Sequence, residues 1–176
     1  MSVPGVVLIG TIGAGKTTVA EGISDLLSRV GTRHALIDLD WLGQVYPPPD
    51  PGDPFDLSLS IRNLRAIWPN LRTAGVERVV LAATLTNEDE LQMLRDALPE
   101  VEWRVVRIVA SPAAVAERIS AREKGGLLED FLARTDELAA EIASAELEES
   151  TVSNDRSPQD AAAEVISLLG WLNLGT

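Results

Sequence analysis

With 176 residues, a formal net charge of -12 and no cysteine, the chain is long enough for one well-buried core and can form neither a disulfide framework nor a cysteine-based metal site. The acidic balance argues against a nucleic-acid partner, whose backbone needs a basic surface, but not against a small anionic ligand met by local groups. The opening MSVPG lacks a signal-peptide pattern and no apolar run is long enough for a bilayer, so the expectation is a cytoplasmic protein with no membrane partner, one domain over residues 1–176, monomeric or homodimeric.

Residues 5–9, Gly-Val-Val-Leu-Ile, form an apolar run suited to a parallel strand covered on both faces. GTIGAGKTT follows, Gly10 to Thr18, and fits the P-loop pattern G-x-x-x-x-G-K-[ST]. In that pattern glycines let backbone N–H groups close around phosphate, the lysine reaches the outer phosphate oxygens and the next hydroxyl ligates Mg²⁺. Gly10, Thr11, Ile12, Gly13, Ala14, Gly15, Lys16, Thr17 and Thr18 are therefore the expected nucleotide-binding residues, with Thr17 on the metal. Lys16 is one of two lysines beside thirteen arginines, and a compact ammonium fits inside such a loop where a guanidinium fork does not. Val19, Ile23, Leu26, Leu27 and Val30 recur at helical spacing, and Gly31 can end that helix.

Arg33–Leu39 reads as a second strand whose end carries Asp38 and Asp40. A carboxylate beside the nucleophile is the usual proton acceptor in phosphoryl transfer. Asp40 is the candidate base, and Asp38 a metal-side or structural group; either could instead cap the next element. YPPPDPGDPF holds five of the ten prolines and cannot be regular structure. Trp41, Tyr46 and Phe55 flank it, with Arg62 and Arg65 on the helix behind. Trp41 and Arg62 fit an acceptor pocket by stacking and charge pairing; Trp41 equally fits a core position and the arginines a solvated face. Along that helix Leu57, Ile61, Leu64, Trp68 and Leu71 share one side, Pro69 should kink or end it, and Gly75 closes it.

Glu77–Thr84 reads as strand three, Asn87 with Glu90 as a capping box, and Glu102–Val109 as strand four. Ser111-Pro112 opens a helix carrying Arg118 and Arg122 four apart on one face, ahead of Gly125-Gly126. That arrangement suits a lid over residues 118–130 whose guanidiniums reach the transferring phosphate or the base, with Lys124 as a lesser candidate; pairing with Glu117 and Glu123 is the alternative. The run Glu137 to Glu149 reads as a solvated face, Ser150–Ser153 as a short fifth strand, and Ser157-Pro158 as the start of a last helix. His34, the only histidine, reads as structural. Strand and helix alternate throughout, the pattern of an α/β fold with a mostly parallel sheet.

GTIGAGKTT, LIDLDWL, ERISAREKGG and TVSNDRSPQDAAAEVISLLGW, in this order, resemble the small P-loop kinases: adenylylsulfate kinase, chloramphenicol phosphotransferase, gluconate kinase and the nucleoside monophosphate kinases. The resemblance implies a P-loop NTPase fold, three layers α/β/α around a five-stranded parallel sheet with a short lid. It implies ATP and Mg²⁺ and transfer of the γ-phosphate to a small-molecule hydroxyl or phosphate. Residue by residue, it implies Asp40 beside the acceptor hydroxyl, Arg118 and Arg122 as lid arginines, and the base near Asn154-Asp155-Arg156. One departure is that VVLAATLT, the end of strand three, lacks the acidic Walker B residue, so Mg²⁺ would depend on Thr17, phosphate oxygens, water and Asp38. The alternative reading is a nucleotide-binding regulatory or partner protein that uses the loop as a switch and transfers nothing.

Overall fold

The computed structural model describes residues 2–47, 56–122 and 127–172, apart from the side chains of residues 122 and 127–133. Five strands form one sheet: β1 (Val3–Ile9), β2 (His34–Asp38), β3 (Arg78–Ala82), β4 (Val101–Val109) and β5 (Ser150–Ser153). All pairings are parallel, in the order β2-β3-β1-β4-β5. The helices are α1 (Lys16–Arg29), α2 (Leu39–Leu42), α3 (Leu57–Thr73), α4 (Glu88–Ala97), α5 (Pro112–Arg122), α6 (Leu127–Ala145) and α7 (Pro158–Leu169). Among the described residues no helix is long and apolar enough to cross a membrane.

β1 is central, so it must be apolar on both faces, and its alternate residues feed two separate cores. Val7 and Ile9 pack with Ile61, Leu64 and Trp68 of α3, Leu91 and Leu94 of α4, and Ile142 of α6. Val6 and Leu8 pack with Val19, Ile23 and Leu27 of α1 and Val165 and Ile166 of α7. This gives the α/β/α sandwich. The chain leaves β1 into α1 on one face and leaves the adjacent β3 into α4 on the other. A crevice therefore opens at their carboxyl ends, where ligands bind in open sheets of this kind.

Local signals account for most boundaries. Gly31, at φ 73°, follows the end of α1, and Asp56 accepts from the Leu59 amide to open α3. Asn87 caps α4 through the Glu90 amide at 3.0 Å, but the Glu90 carboxylate reaches back to the Thr86 amide at 2.6 Å rather than to Asn87, so the box is shifted by one residue. Ser157 and Asp160 bond reciprocally ahead of Pro158 at the start of α7.

Of the two expectations for Pro69, a kink or an end, the end is ruled out: α3 runs on to Thr73 with Pro69 on its exposed side, while Leu64 and Trp68 hold the other side in the core. Two expectations are corrected. Strand two stops at Asp38 because that side chain caps α2, a turn of helix absent from the sequence reading. The acidic run does not stay wholly in solvent: Glu148 pairs with Arg107 at 3.3 Å, both largely buried, and Glu149 pairs with Arg104.

α1 and α7 meet closely where Gly22 faces Ala162, and a Cβ at 22 would fall 2.9 Å from that of Ala162. Gly22→Leu is expected to destabilise the fold by about 1–3 kcal/mol through overpacking, read as a lower urea midpoint at an unchanged m-value.

Candidate active site

Buried β1 delivers the chain to Gly10, and the loop that follows turns back through left-handed residues at Gly13 (φ 80°) and Gly15 (φ 92°). Gly15 is also the N-cap of α1, with no side chain capping the helix. The first-turn amides of α1 thus keep their donor capacity for an anion, which the helix dipole favours. The Lys16 side chain is only 8% exposed and folds back over the loop; its Nζ donates to the Gly10 carbonyl at 2.9 Å and the Thr11 carbonyl at 3.2 Å.

The outward-turned carbonyls of the loop are met by distant parts of the chain. Arg118 of α5 donates to Gly13 O at 3.3 Å, Ala14 O at 3.2 Å and Asn154 O at 2.7 Å. Asn154 follows β5, is 1% exposed, and gives its Nδ2 to Ala14 O at 2.9 Å. Its own amide extends the sheet ladder to Val109 O at 2.8 Å. A Cβ on Gly15 would lie 2.2 Å from that Nδ2, so the left-handed turn and the asparagine require each other. Arg118 lines the cleft while gripping the loop, whereas Asn154 is occupied beneath it. The Arg122 side chain, Lys124, Gly125, Gly126 and Phe55 lie outside the described residues, as do residues 123–126 of the expected lid and most of the proline-rich loop.

Asp38 ends β2 and does two things at once. Its Oδ1 accepts from the Asp40 amide at 3.2 Å, and its Oδ2 accepts from the Thr17 hydroxyl at 2.6 Å. In register it stands beside Ala82 of β3, so its carboxylate is one strand away from the position left without an acid. Asp40, in the first turn of α2, accepts from the Thr84 hydroxyl at 3.3 Å. Thr84 was missed by sequence reasoning, although it sits in the segment searched for a Walker B acid. Burial raises the Asp40 pKa above its ordinary value; the Lys16 charge opposes this and the Asp38 charge adds to it.

These groups share one cleft of about 520 Å³, lined by loop residues from Thr11 to Thr18, Asp38, Asp40, Trp41, Gln44, Tyr46 and Arg118. Trp41 is 72% exposed, not a core residue. Arg62 is exposed on α3 and is not among the described residues that line the cleft. His34 is structural: its ring nitrogens contact Ser24 Oγ at 2.7 Å and the Thr32 carbonyl at 2.8 Å. Thr17 and Asp38 present oxygens suited to Mg²⁺. Among the described residues no three acidic or imidazole groups gather to hold a metal ion.

A family model described as an AAA domain matches residues 6–148. The chain belongs to this AAA-domain family. Solved structures similar to it include a gluconokinase from Sinorhizobium meliloti 1021 (21% identity, 96% of this chain and 92% of that one, TM-score 0.65). Another is the Mycobacterium tuberculosis APS kinase CysC in complex with AMPPNP and APS (22% identity, 96% and 98%, TM-score 0.64). A third is a tunicamycin resistance protein from Deinococcus radiodurans (16% identity, 96% and 96%, TM-score 0.65). No curated protein sequence matches the chain. At these identities the structural likeness establishes the fold, that of the small P-loop kinases.

In this AAA-domain protein Asp40 weighs against the fold it sits in. A carboxyl whose folded pKa is raised binds its proton more tightly in the folded than in the unfolded chain, so stability falls as pH rises through the folded pKa. Asp40→Asn is therefore expected to raise the melting temperature of the nucleotide-free protein at neutral pH. The gain should vanish as the pH drops below 3.8, the ordinary value, a comparison made by thermal melts of both proteins across pH.

Proposed function

We propose that this chain is a phosphotransferase that moves the γ-phosphate of Mg-ATP to a hydroxyl on a small molecule. One observation carries the reading: a half-buried carboxylate with raised proton affinity, Asp40, faces the same cleft as the P-loop and Lys16. A loop that only bound and released nucleotide would have no use for a base there. The names of the similar structures, a gluconokinase and an APS kinase among them, support the same reaction class.

In this mechanism the loop amides and Lys16 hold the β- and γ-phosphates, and Arg118 keeps the loop in its bound shape. The acceptor hydroxyl oxygen attacks the γ-phosphorus as the bond to the bridging oxygen breaks; the hydroxyl proton passes to Asp40, and ADP leaves with the bond's electron pair. Thr17 and Asp38 are the residues that would hold Mg²⁺, directly or through water. When bound, the ion supplies charge neutralisation at the phosphate oxygens. Asp38 is thus the replacement for the missing Walker B acid. Arg122 remains a candidate for contact with the transferring group on sequence grounds.

Phosphorus NMR of Mg-ATP with pools of hydroxylated acceptors, followed by steady-state rates, tests the reading. Lys16→Ala is expected to lower kcat/KM by at least about 10²-fold, the scale of losing one transition-state charge partner. Asp40→Asn should lower kcat by about 10²–10⁴-fold while leaving the Kd for Mg-ATP within about threefold. Equal loss of turnover and of ATP binding in Asp40→Asn would remove it as base. Slow hydrolysis alone with every pool would favour a nucleotide switch.

The metal assignment has its own check. Asp38→Asn is expected to raise the magnesium concentration for half-maximal turnover by about tenfold or more, measured at saturating ATP.

A further inference from the structure

The chemistry of the acceptor can be narrowed from the wall that would receive it, an inference that rests on the kinase reading of the same cleft. The donor side is built by residues 11–18 and by α5. Among the described residues the opposite wall comes from one short stretch: Asp38, Asp40, Trp41, Gln44 and Tyr46. That wall holds two carboxylates, a carboxamide and two aromatic rings, and no cation. Trp41 and Tyr46 are 72% and 82% exposed, and the Tyr46 hydroxyl donates to Gln44 Oε1 at 3.4 Å. Of the arginines nearest in sequence, Arg62 is exposed and not among the described lining residues, and Arg65 donates to the Asp96 carbonyl at 3.0 Å.

Among the described residues, the two cationic side chains that line the cleft, Lys16 and Arg118, are bonded to loop carbonyls on the donor side, where a triphosphate would sit. Among the described residues, an acceptor carrying a carboxylate or phosphate would therefore meet Asp38, Asp40 and the triphosphate with no cation placed to pair with it. Like charges at such range disfavour binding. Two exposed rings beside a carboxylate suit the opposite kind of ligand, one with a flat or apolar ring face, hydroxyl groups for Gln44 and Asp40, and neutral or positive charge. We propose that the acceptor is an uncharged or cationic ring-bearing alcohol that packs against Trp41 and Tyr46, and that anionic acceptors are rejected by the paired carboxylates.

The test reads binding without transfer. Wild-type protein saturated with Mg-AMPPNP is titrated, by calorimetry and ligand-observed NMR, with charge-paired probes: glucose and gluconate, methyl shikimate and shikimate, uridine and UMP, with kanamycin as a cationic member. The expected result is that at least one neutral or cationic probe binds about tenfold or more tightly than its anionic counterpart, or, for kanamycin, than any anion. Trp41→Ala and Tyr46→Ala should weaken that probe by several-fold or more at unchanged AMPPNP affinity, and Trp41→Phe should restore most of the loss. Equal or tighter binding of the anions, binding of no probe at millimolar concentration, or indifference to both aromatic substitutions overturns the inference. Transfer from Mg-ATP is followed separately by phosphorus NMR. A neutral preference without transfer defeats the kinase reading alone, and transfer to an anion defeats the acceptor inference alone.

Discussion

The carbonyl of Ala14 is the point on which the site depends. A loop that turns its amides inward toward a phosphate must turn carbonyls outward, and a buried carbonyl without a donor costs the fold about 1–3 kcal/mol. Ala14 O is met twice, by Asn154 from beyond β5 and by Arg118 from α5. Two elements from the second half of the chain thereby fix the shape of the first loop. The same contacts explain why position 15 has to be glycine: its φ is left-handed, and the space a Cβ would fill is occupied by the Asn154 amide.

From that fixed loop a chain of polar contacts runs across the carboxyl edge of the sheet. Thr17 on α1 bonds Asp38 on β2, Asp38 holds the Asp40 amide, and Asp40 takes a hydrogen bond from Thr84 beyond β3. Lys16, nearly buried, lies close enough for its charge to pull on Asp40. Burial outweighs that pull, leaving a carboxyl that holds its proton more tightly than usual while facing a cleft. A carboxyl so perturbed and so placed is what the proposed mechanism needs of its base.

Much of this was legible in the residues themselves. The P-loop string, its flanking strand and helix, the alternation of apolar runs and the caps at Asn87 and Ser157 all act within a few residues of one another, where sequence patterns carry their physical cause. The hidden features were those made by distance along the chain. Nothing near Thr84 marks it as a partner of Asp40, and nothing near Arg118 says that its guanidinium grips Gly13 and Ala14. Glu148 and Glu149 read as surface because their partners, Arg107 and Arg104, lie across a strand pairing. At Pro69 the helix continues because core contacts of Leu64 and Trp68 on the far side of α3 hold it.

The absence of an acid at the end of β3 follows from where Asp38 stands. Parallel register sets Asp38 beside Ala82, and adjacent strands lie about 4.8 Å apart, so a carboxylate on either strand end reaches nearly the same region in front of Thr17. A second acid at 82 would crowd two charges against Asp40 and raise the cost of ionising it further. A small apolar residue there leaves Asp38 free to meet Thr17 and leaves Asp40 with one charged carboxylate neighbour instead of two. The two carboxylates that the proposed mechanism assigns to metal and base thus come from a single turn, two residues apart, held in fixed relation by the hydrogen bond from the Asp40 amide to Asp38.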